Sequence, residues 1–189
     1  MKLVETIKTP YDIKTLAAAL KVALDDLYPD YENINTVRIL YAHSNLEMGA
    51  NAYSSKNWQV GNVMSSTTVD GLYHNSYFNM DATEYENGTL VMHHSHWRAY
   101  DNLMDACKDW ITLLNDKFRA LPIAAKGTPG QYVYQLSEAH YMTCPQYKYL
   151  SAFMTVWNNI CKVLSQEIYD NIDFVFNGET GIFELRDPT

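Results

Sequence analysis

The chain has 189 residues, and 14 Lys+Arg against 22 Asp+Glu leave a formal net charge of −8. Nucleic acid is excluded as a partner, because a phosphate backbone is bound through surplus Lys and Arg. Membrane insertion is excluded too, since no stretch approaches the ~20 apolar residues of a span.

The balance of 47% apolar and 19% charged residues is that of a globular protein, and the length fits a single domain over 1–189 with its own core. The first helix is predicted from Thr9-Pro10, read as N-cap and first helical residue, with Leu16, Leu20, Leu24 and Leu27 at helical spacing. Tyr28-Pro29-Asp30 ends it. A second helix runs from about Thr36 to Met48, with Gly49 as its stop. Its residues TVRILYAHSNLEM are apolar on more than one side, which predicts a central, buried position.

Residues 50–98 change character: they are rich in Asn, Ser, Thr, Tyr and Gly and lack helical periodicity. Asn87-Gly88 stands between two β-prone segments, and both residues tolerate positive φ, so a hairpin is expected there. A third helix is predicted from Asp101 to Pro122, carrying Leu103, Cys107, Trp110 and Leu114 on one face. A fourth opens at Thr128-Pro129 and reaches Ala139. The last runs from Gln146 to Ile168, with Phe153, Trp157, Ile160 and Leu164 toward the core. Residues 172–187 read as two short strands around a turn. The expected class is α+β, mainly helical, with a small β lobe after the central helix.

Glu47 falls in the last turn of the apolar second helix, on the face of Leu40, His43 and Ser44. Desolvation and the negative helix end both raise a carboxyl pKa there. A carboxyl kept neutral near pH 6–7 can protonate a leaving oxygen. The alternative is a solvated Glu at a helix end. Glu84 and Glu86 share one face of their strand, and a two-residue turn sets Glu86 opposite Thr89 and Glu84 opposite Val91. Either one can face a cleft and activate water; otherwise both lie on a wet face. His94 and His96 project together and His93 opposite, without Cys or carboxylate at zinc-like spacing, so no metal is expected. His43 and Glu47 lack the second His of a zincin motif. Three cysteines at wide spacing argue against a disulfide framework. Cys107 and Cys161 read as core, and Cys144-Pro145 gives a weak signal of thiol activation.

Four segments, in order, resemble glycoside hydrolase family 73, the β-N-acetylglucosaminidases of the lysozyme-like superfamily. ILYAHSNLEMG (Ile39 to Gly49) resembles its helix ending in a catalytic Glu. NWQVGNVM (Asn57 to Met64) is similar to its cleft-lining Asn-aromatic…Gly-Asn-Ile segment. ATEYENGTLVMHHSHWRAY (Ala82 to Tyr100) resembles its T-E-Y-x-x-G hairpin with F-R-x-Y. HYMTCPQY (His140 to Tyr147) is similar to G-Y-A-T-D-P-x-Y. His140, Cys144 and Trp97 depart from the family's Gly, Asp and Phe, and the Cys144 change leaves no counterpart for that Asp.

The resemblance implies a lysozyme-like fold and a peptidoglycan hydrolase that cuts a β-1,4 bond of the glycan strand. Glu47 is then the general acid, Glu84 the β-lobe carboxylate with Glu86 as its one-step alternative, and Tyr141 the active-site tyrosine. Trp58, Asn62, Tyr85, Glu86, His140 and Tyr147 are the expected sugar contacts. No cofactor is implied. A muramidase or lytic transglycosylase on the same fold is the near alternative, and a non-catalytic structural or glycan-binding virion protein the distant one. The N-terminus MKLVETIKTPYDIK lacks an apolar signal core, so the expectation is a phage enzyme in the host cytoplasm or virion. Its acidity gives no attraction to an anionic wall, which points to delivery by a larger assembly or by local release.

Overall fold

Leu16, Leu20 and Leu24 recur on one side of the first helix with Ala17, Ala18, Ala19 and Ala23 around them, and all seven are buried. The computed structural model describes residues 1–49, 53, 55–65, 76–86, 88–177 and 182–186, with the side chains of Tyr85, Phe176, Asn177, Ile182, Phe183 and Arg186 outside that description. Helix α1 (Ile13–Leu27) starts later than Thr9-Pro10 predicts. Asp12 is its N-cap, and its side chain accepts the Thr15 N–H at 2.8 Å. Thr9 is engaged elsewhere: its hydroxyl oxygen accepts the Trp58 N–H at 2.7 Å and lies 3.3 Å from Ser55 Oγ.

A 3-10 turn at Pro29–Tyr31 leads into α2 (Ile34–Met48). Asn33 caps it by accepting the Thr36 N–H at 3.0 Å, which sets the start two residues before the expected Thr36. Val37, Ile39, Leu40, Ala42 and His43 are all fully buried, as a helix apolar on several sides must be. The helix stops at Gly49, whose φ of 75° suits glycine and whose N–H reaches Asn45 O at 2.8 Å.

Two of the expected helices end early, and a separate short helix follows each. The third, expected to reach Pro122, is α3 (Leu103–Asp116), and α4 (Leu121–Lys126) follows it. Arg119, at φ 52°, turns the chain between them, and Pro122 sits in the first turn of α4. A proline that reads as a stop serves as a start, because the first helical turn needs no N–H donor there. Helix α5 (Pro129–Glu138) begins as expected, with a reciprocal capping box between Thr128 and Gln131. The last long helix is α6 (Gln146–Val163) followed by α7 (Gln166–Asn171). Ser165 accepts the Ile168 N–H at 3.2 Å and starts α7, while Arg38 holds the Leu164 carbonyl through Nη2 at 2.6 Å. Phe153, Ile160 and Leu164 are in the core, and Trp157 packs on it half-buried.

The β lobe is a three-stranded sheet. Strand β1 (Lys2–Leu3), unforeseen because two residues carry no periodicity, pairs parallel with the start of β2 (Ser76–Glu86). Strand β2 pairs antiparallel with β3 (Thr89–Arg98), placing Glu86 opposite Thr89 and Glu84 opposite Val91 as the two-residue turn predicts. Gly88 has φ 82°, and Asn87 lies outside the described residues. Strands β4 (Asp173–Asn177) and β5 (Ile182–Arg186) form the expected C-terminal pair. The architecture is α+β, and no helix of the described residues is long and apolar enough to cross a membrane.

One large core joins α1 to α7, and a small one under the hairpin consists of Phe78, Trp97 and Ala99. A buried ion pair links the two lobes. Arg98 Nη1, at the end of β3, lies 2.7 and 2.8 Å from the Asp109 carboxylate oxygens of α3, and Tyr100 Oη donates to the same group at 2.5 Å. Removing one member strands a buried charge. Asp109→Ala is expected to cost about 3–5 kcal/mol, read as a lower urea midpoint, with the Arg98→Met/Asp109→Leu double variant losing less.

Candidate active site

Two other pieces of chain, and the preceding turn of its own helix, converge on Glu47 at the C-terminal turn of α2. Tyr149 of α6 donates its hydroxyl to Oε1 at 3.0 Å. Asn62 Nδ2 donates to Oε2 at 3.1 Å and to the Glu47 backbone carbonyl at 3.1 Å. His43, one helical turn earlier, sets Nε2 3.7 Å from Oε1. Burial raises the Glu47 pKa above the ordinary carboxylate value, and the Tyr149 and Asn62 hydrogen bonds pull it partly back. The side chain keeps 18% of its surface exposed, so the carboxyl is desolvated yet reachable.

The segment from Asn57 to Met64 is held in an unusual shape. Asn57, Trp58 and Asn62 have φ values of 49°, 61° and 48°, left-handed conformations that cost side-chain-bearing residues energy. Polar anchors hold them there. Asn57 accepts the Ile7 N–H at 3.0 Å and donates to Glu5 O at 2.9 Å. Gln59 accepts the Val63 N–H at 2.9 Å and donates to the Arg98 carbonyl. Tyr11 donates to Gln59 O at 2.8 Å. The segment thus delivers Asn62 to Glu47 from a fixed platform.

Gly61 lies against Trp110, and a Cβ there would stand 2.0 Å from Nε1, so no larger residue fits without displacing the indole. Tyr141 Oη donates to Gly61 O at 2.7 Å and accepts from Trp110 Nε1 at 3.2 Å. The His43 ring is surrounded edge-on by aromatic rings, with centroids at 4.6 Å for Tyr141, 5.1 Å for Trp110, 5.7 Å for Tyr132 and 6.2 Å for Tyr149. Complete burial lowers the His43 pKa to about 3, so the imidazole is neutral and its approach to Glu47 is not an ion pair. Burial and the nearby Glu47 charge push the Tyr132, Tyr141 and Tyr149 hydroxyls well above their usual range, which keeps all three protonated.

The predicted site residues divide. Glu47, Asn62 and Tyr141 meet in this cluster. Trp58 is half-buried and packs on the main core. His140, at φ 56°, is exposed just before Tyr141, and Tyr147 is 71% exposed. Glu84 is half-buried on the inward side of β2 and has no ion-pair partner among the described residues. Glu86 instead lies 2.9 Å from His93 Nε2 across the hairpin. The side chain of Tyr85 is outside the described part. His94 and His96 share the outward face, 2.5 Å from Asp81 Oδ1 and 2.6 Å from Asn79 Oδ1 respectively. Cys144 is not activated: burial, first, and the Glu47 charge raise its thiol pKa. Sequence reading missed Tyr149, which lies two residues beyond the motif tyrosine Tyr147 and so about 200° around the helix. It also missed the supporting roles of His43 and Tyr132.

No protein-family model and no curated protein matches the sequence. Solved structures do match. A peptidoglycan hydrolase mutant from Sphingomonas sp. A1 aligns over 79% of this chain and 96% of its own, at 20% identity and a TM-score of 0.54. A C-terminally truncated glycoside hydrolase domain of Salmonella typhimurium FlgJ aligns over 80% and 95%, at 21% identity and 0.52. The catalytic domain of the autolysin Auto from Listeria monocytogenes aligns over 77% and 82%, at 15% identity and 0.53. The fold is lysozyme-like. In this lysozyme-like domain Glu47 ends the buried helix, and the β lobe stands beside it in sequence and is tied to α3 through Asp109.

The neutral His43 makes folding pH-dependent. Its folded pKa is depressed from 6.5 to about 3, so the unfolded chain binds the extra proton. This stability is present above pH 6.5 and falls by about 1.4 kcal/mol per unit as pH drops through the window toward 3. Urea titrations from pH 7 to 4 are expected to show this slope in the wild type and a flatter one in His43→Gln.

Proposed function

We propose that this chain is a peptidoglycan hydrolase, acting as an endo-β-N-acetylglucosaminidase on a β-1,4 bond of the glycan strand. The observation that carries the reading is the setting of Glu47: its pKa is raised by burial, its side chain is 18% exposed, and Tyr149 and Asn62 orient it. The structural neighbours, a peptidoglycan hydrolase, a glycoside hydrolase domain and an autolysin catalytic domain, agree with it.

In this reading Glu47 gives its proton to the bridging oxygen. The C1–O bond breaks and its electron pair leaves on that oxygen, while positive charge spreads over C1 and the ring oxygen. Tyr149 and Asn62 then stabilise the Glu47 carboxylate with two hydrogen bonds. Glu84 is the second carboxylate and removes a proton from the water that attacks C1, giving inversion; the substrate's 2-acetamido group is the other nucleophile this chemistry allows. Glu84 is favoured over Glu86 because Glu86 is paired with His93. An inverting pair needs a carboxyl separation of ~6.5–9.5 Å. Tyr141 positions the N-acetyl sugar or the water, and Trp58, Asn62, Tyr85, Glu86, His140 and Tyr147 are the sugar contacts. The single domain acts without a cofactor. A net charge of −8 gives it no attraction to an anionic wall, so delivery is by a larger assembly such as a virion, or by release beside the wall.

Digestion of purified sacculi followed by mass spectrometry tests the bond cut. Reducing-end GlcNAc is the expected product; reducing or 1,6-anhydro MurNAc ends would instead indicate a muramidase or lytic transglycosylase. Glu47→Gln keeps the shape and removes the proton, and is expected to lower turnover by roughly 10²–10⁴-fold. Equal zymogram clearing by wild type and Glu47→Gln would remove Glu47 from the chemistry.

A further inference from the structure

His43 Nε2 is a buried nitrogen with no hydrogen-bond partner among the described residues, in a ring with no exposed surface, and it lies 3.7 Å from a carboxyl oxygen of Glu47. An unsatisfied polar atom in so enclosed a place calls for a functional explanation. The other ring nitrogen, Nδ1, lies 2.8 Å from Tyr132 Oη. Two tautomers are possible, and they differ in what they leave unpaired. If Nδ1 carried the proton, it would donate to Tyr132, whose own hydroxyl proton has no other acceptor among the described residues, and the Nε2 lone pair would also be stranded. If Tyr132 donates to Nδ1, the proton sits on Nε2 and a single donor is left over, aimed at Glu47.

The Tyr141 and Tyr149 hydroxyl protons are already used, on Gly61 O and on Glu47 Oε1. Tyr132 is therefore the one hydroxyl of the three free to set the imidazole.

We propose that His43 is a positioning residue for Glu47: the Tyr132 hydroxyl holds Nδ1, and the Nε2–H so fixed closes onto Oε1 when Glu47 becomes a carboxylate. The gap of 3.7 Å is one small side-chain adjustment from a hydrogen bond. While Glu47 is protonated it gains little from this donor. Once the proton has gone to the leaving oxygen, Nε2–H becomes the third donor beside Tyr149 and Asn62. The device therefore favours the state formed during proton transfer, as a preorganised donor must. The titratable groups facing this pair are Tyr132 of α5, Tyr141 of the α5–α6 connection, Tyr149 of α6, and Cys144 just before α6. The Asn57–Met64 segment contributes uncharged Asn62. All four carry pKa values raised by burial, so with His43 already neutral Glu47 titrates before any of them as pH rises.

This role for His43 in turnover rests on the proposed glycosidase reading, but its decisive measurements do not. Long-range ¹H–¹⁵N correlation on the intact chain reads the imidazole tautomer directly: Nε2–H is expected, and Nδ1–H would overturn the proposal. A ¹³C titration of the Glu47 carboxyl is then compared between wild type, His43→Phe, His43→Gln and Tyr132→Phe. His43→Phe keeps a ring and loses the donor, so the Glu47 midpoint is expected to move up. His43→Gln retains an amide donor and is expected to restore most of the wild-type midpoint. An unchanged or lowered midpoint in His43→Phe would sink the idea. Should that variant fail to fold, Tyr132→Phe and the wild-type tautomer still decide, with the Tyr132→Phe midpoint expected above that of the wild type. With sacculi as substrate, kcat of His43→Phe is expected to fall roughly tenfold at unchanged KM, the alkaline limb of kcat moving up with the carboxyl midpoint. A chain that shows the tautomer and the shifted midpoint but releases no glycan product overturns the glycosidase reading alone.

Discussion

A carboxyl group at the C-terminal end of a buried helix is opposed twice, by the loss of water and by the negative end of the helix dipole. Glu47 occupies that position, and much of the structure around it compensates for the arrangement without removing it. Two donors, from Tyr149 and Asn62, hold the carboxyl oxygens in place. They moderate the desolvation and do not cancel it, because neither carries a charge. The result is an acid that keeps its proton at higher pH than a free carboxylate while remaining open on one side.

Holding that arrangement requires rigidity on three sides. The floor is aromatic: the rings of Trp110, Tyr132, Tyr141 and Tyr149 surround His43, and Phe153 lies against Tyr132. One wall is the Asn57–Met64 segment, whose left-handed residues are stabilised by backbone-directed side chains from Asn57 and Gln59. The other side is fixed through the Arg98–Asp109 pair, which anchors the end of the hairpin to α3. The polar anchors set where the chain goes, and the aromatic rings exclude water. Acid and stability are therefore coupled, since the same burial that raises the Glu47 pKa also forces His43 to remain neutral.

The sequence made the regular elements readable where local chemistry is strong. Gly49 stops α2, Thr128 with Gln131 starts α5, and the hairpin register around Glu84 and Glu86 follows from a two-residue turn. It misled where a residue has two local uses. Pro122 reads as a helix end and begins α4, and Thr9 reads as an N-cap and binds the Trp58 N–H. The break at Leu164 was hidden because its stabilising partner, Arg38, lies far away in the chain.

The candidate acid was legible for a related reason: the apolar surroundings of Glu47 are written into the same helix, and desolvation needs only that the helix be buried. Its partners were not. Tyr149 and Tyr147 are indistinguishable as letters, and only the rotation of α6 against α2 turns one to the carboxyl and the other to solvent. The same holds for His43, whose Nε2 meets Glu47 within one helix while Tyr132 of another helix meets its Nδ1. The sequence by itself determined which helix is buried and which carboxyl it desolvates, because periodicity and caps are local. The tertiary structure decided which groups touch that carboxyl, because a hydrogen bond depends on the packing angle between elements distant in the chain.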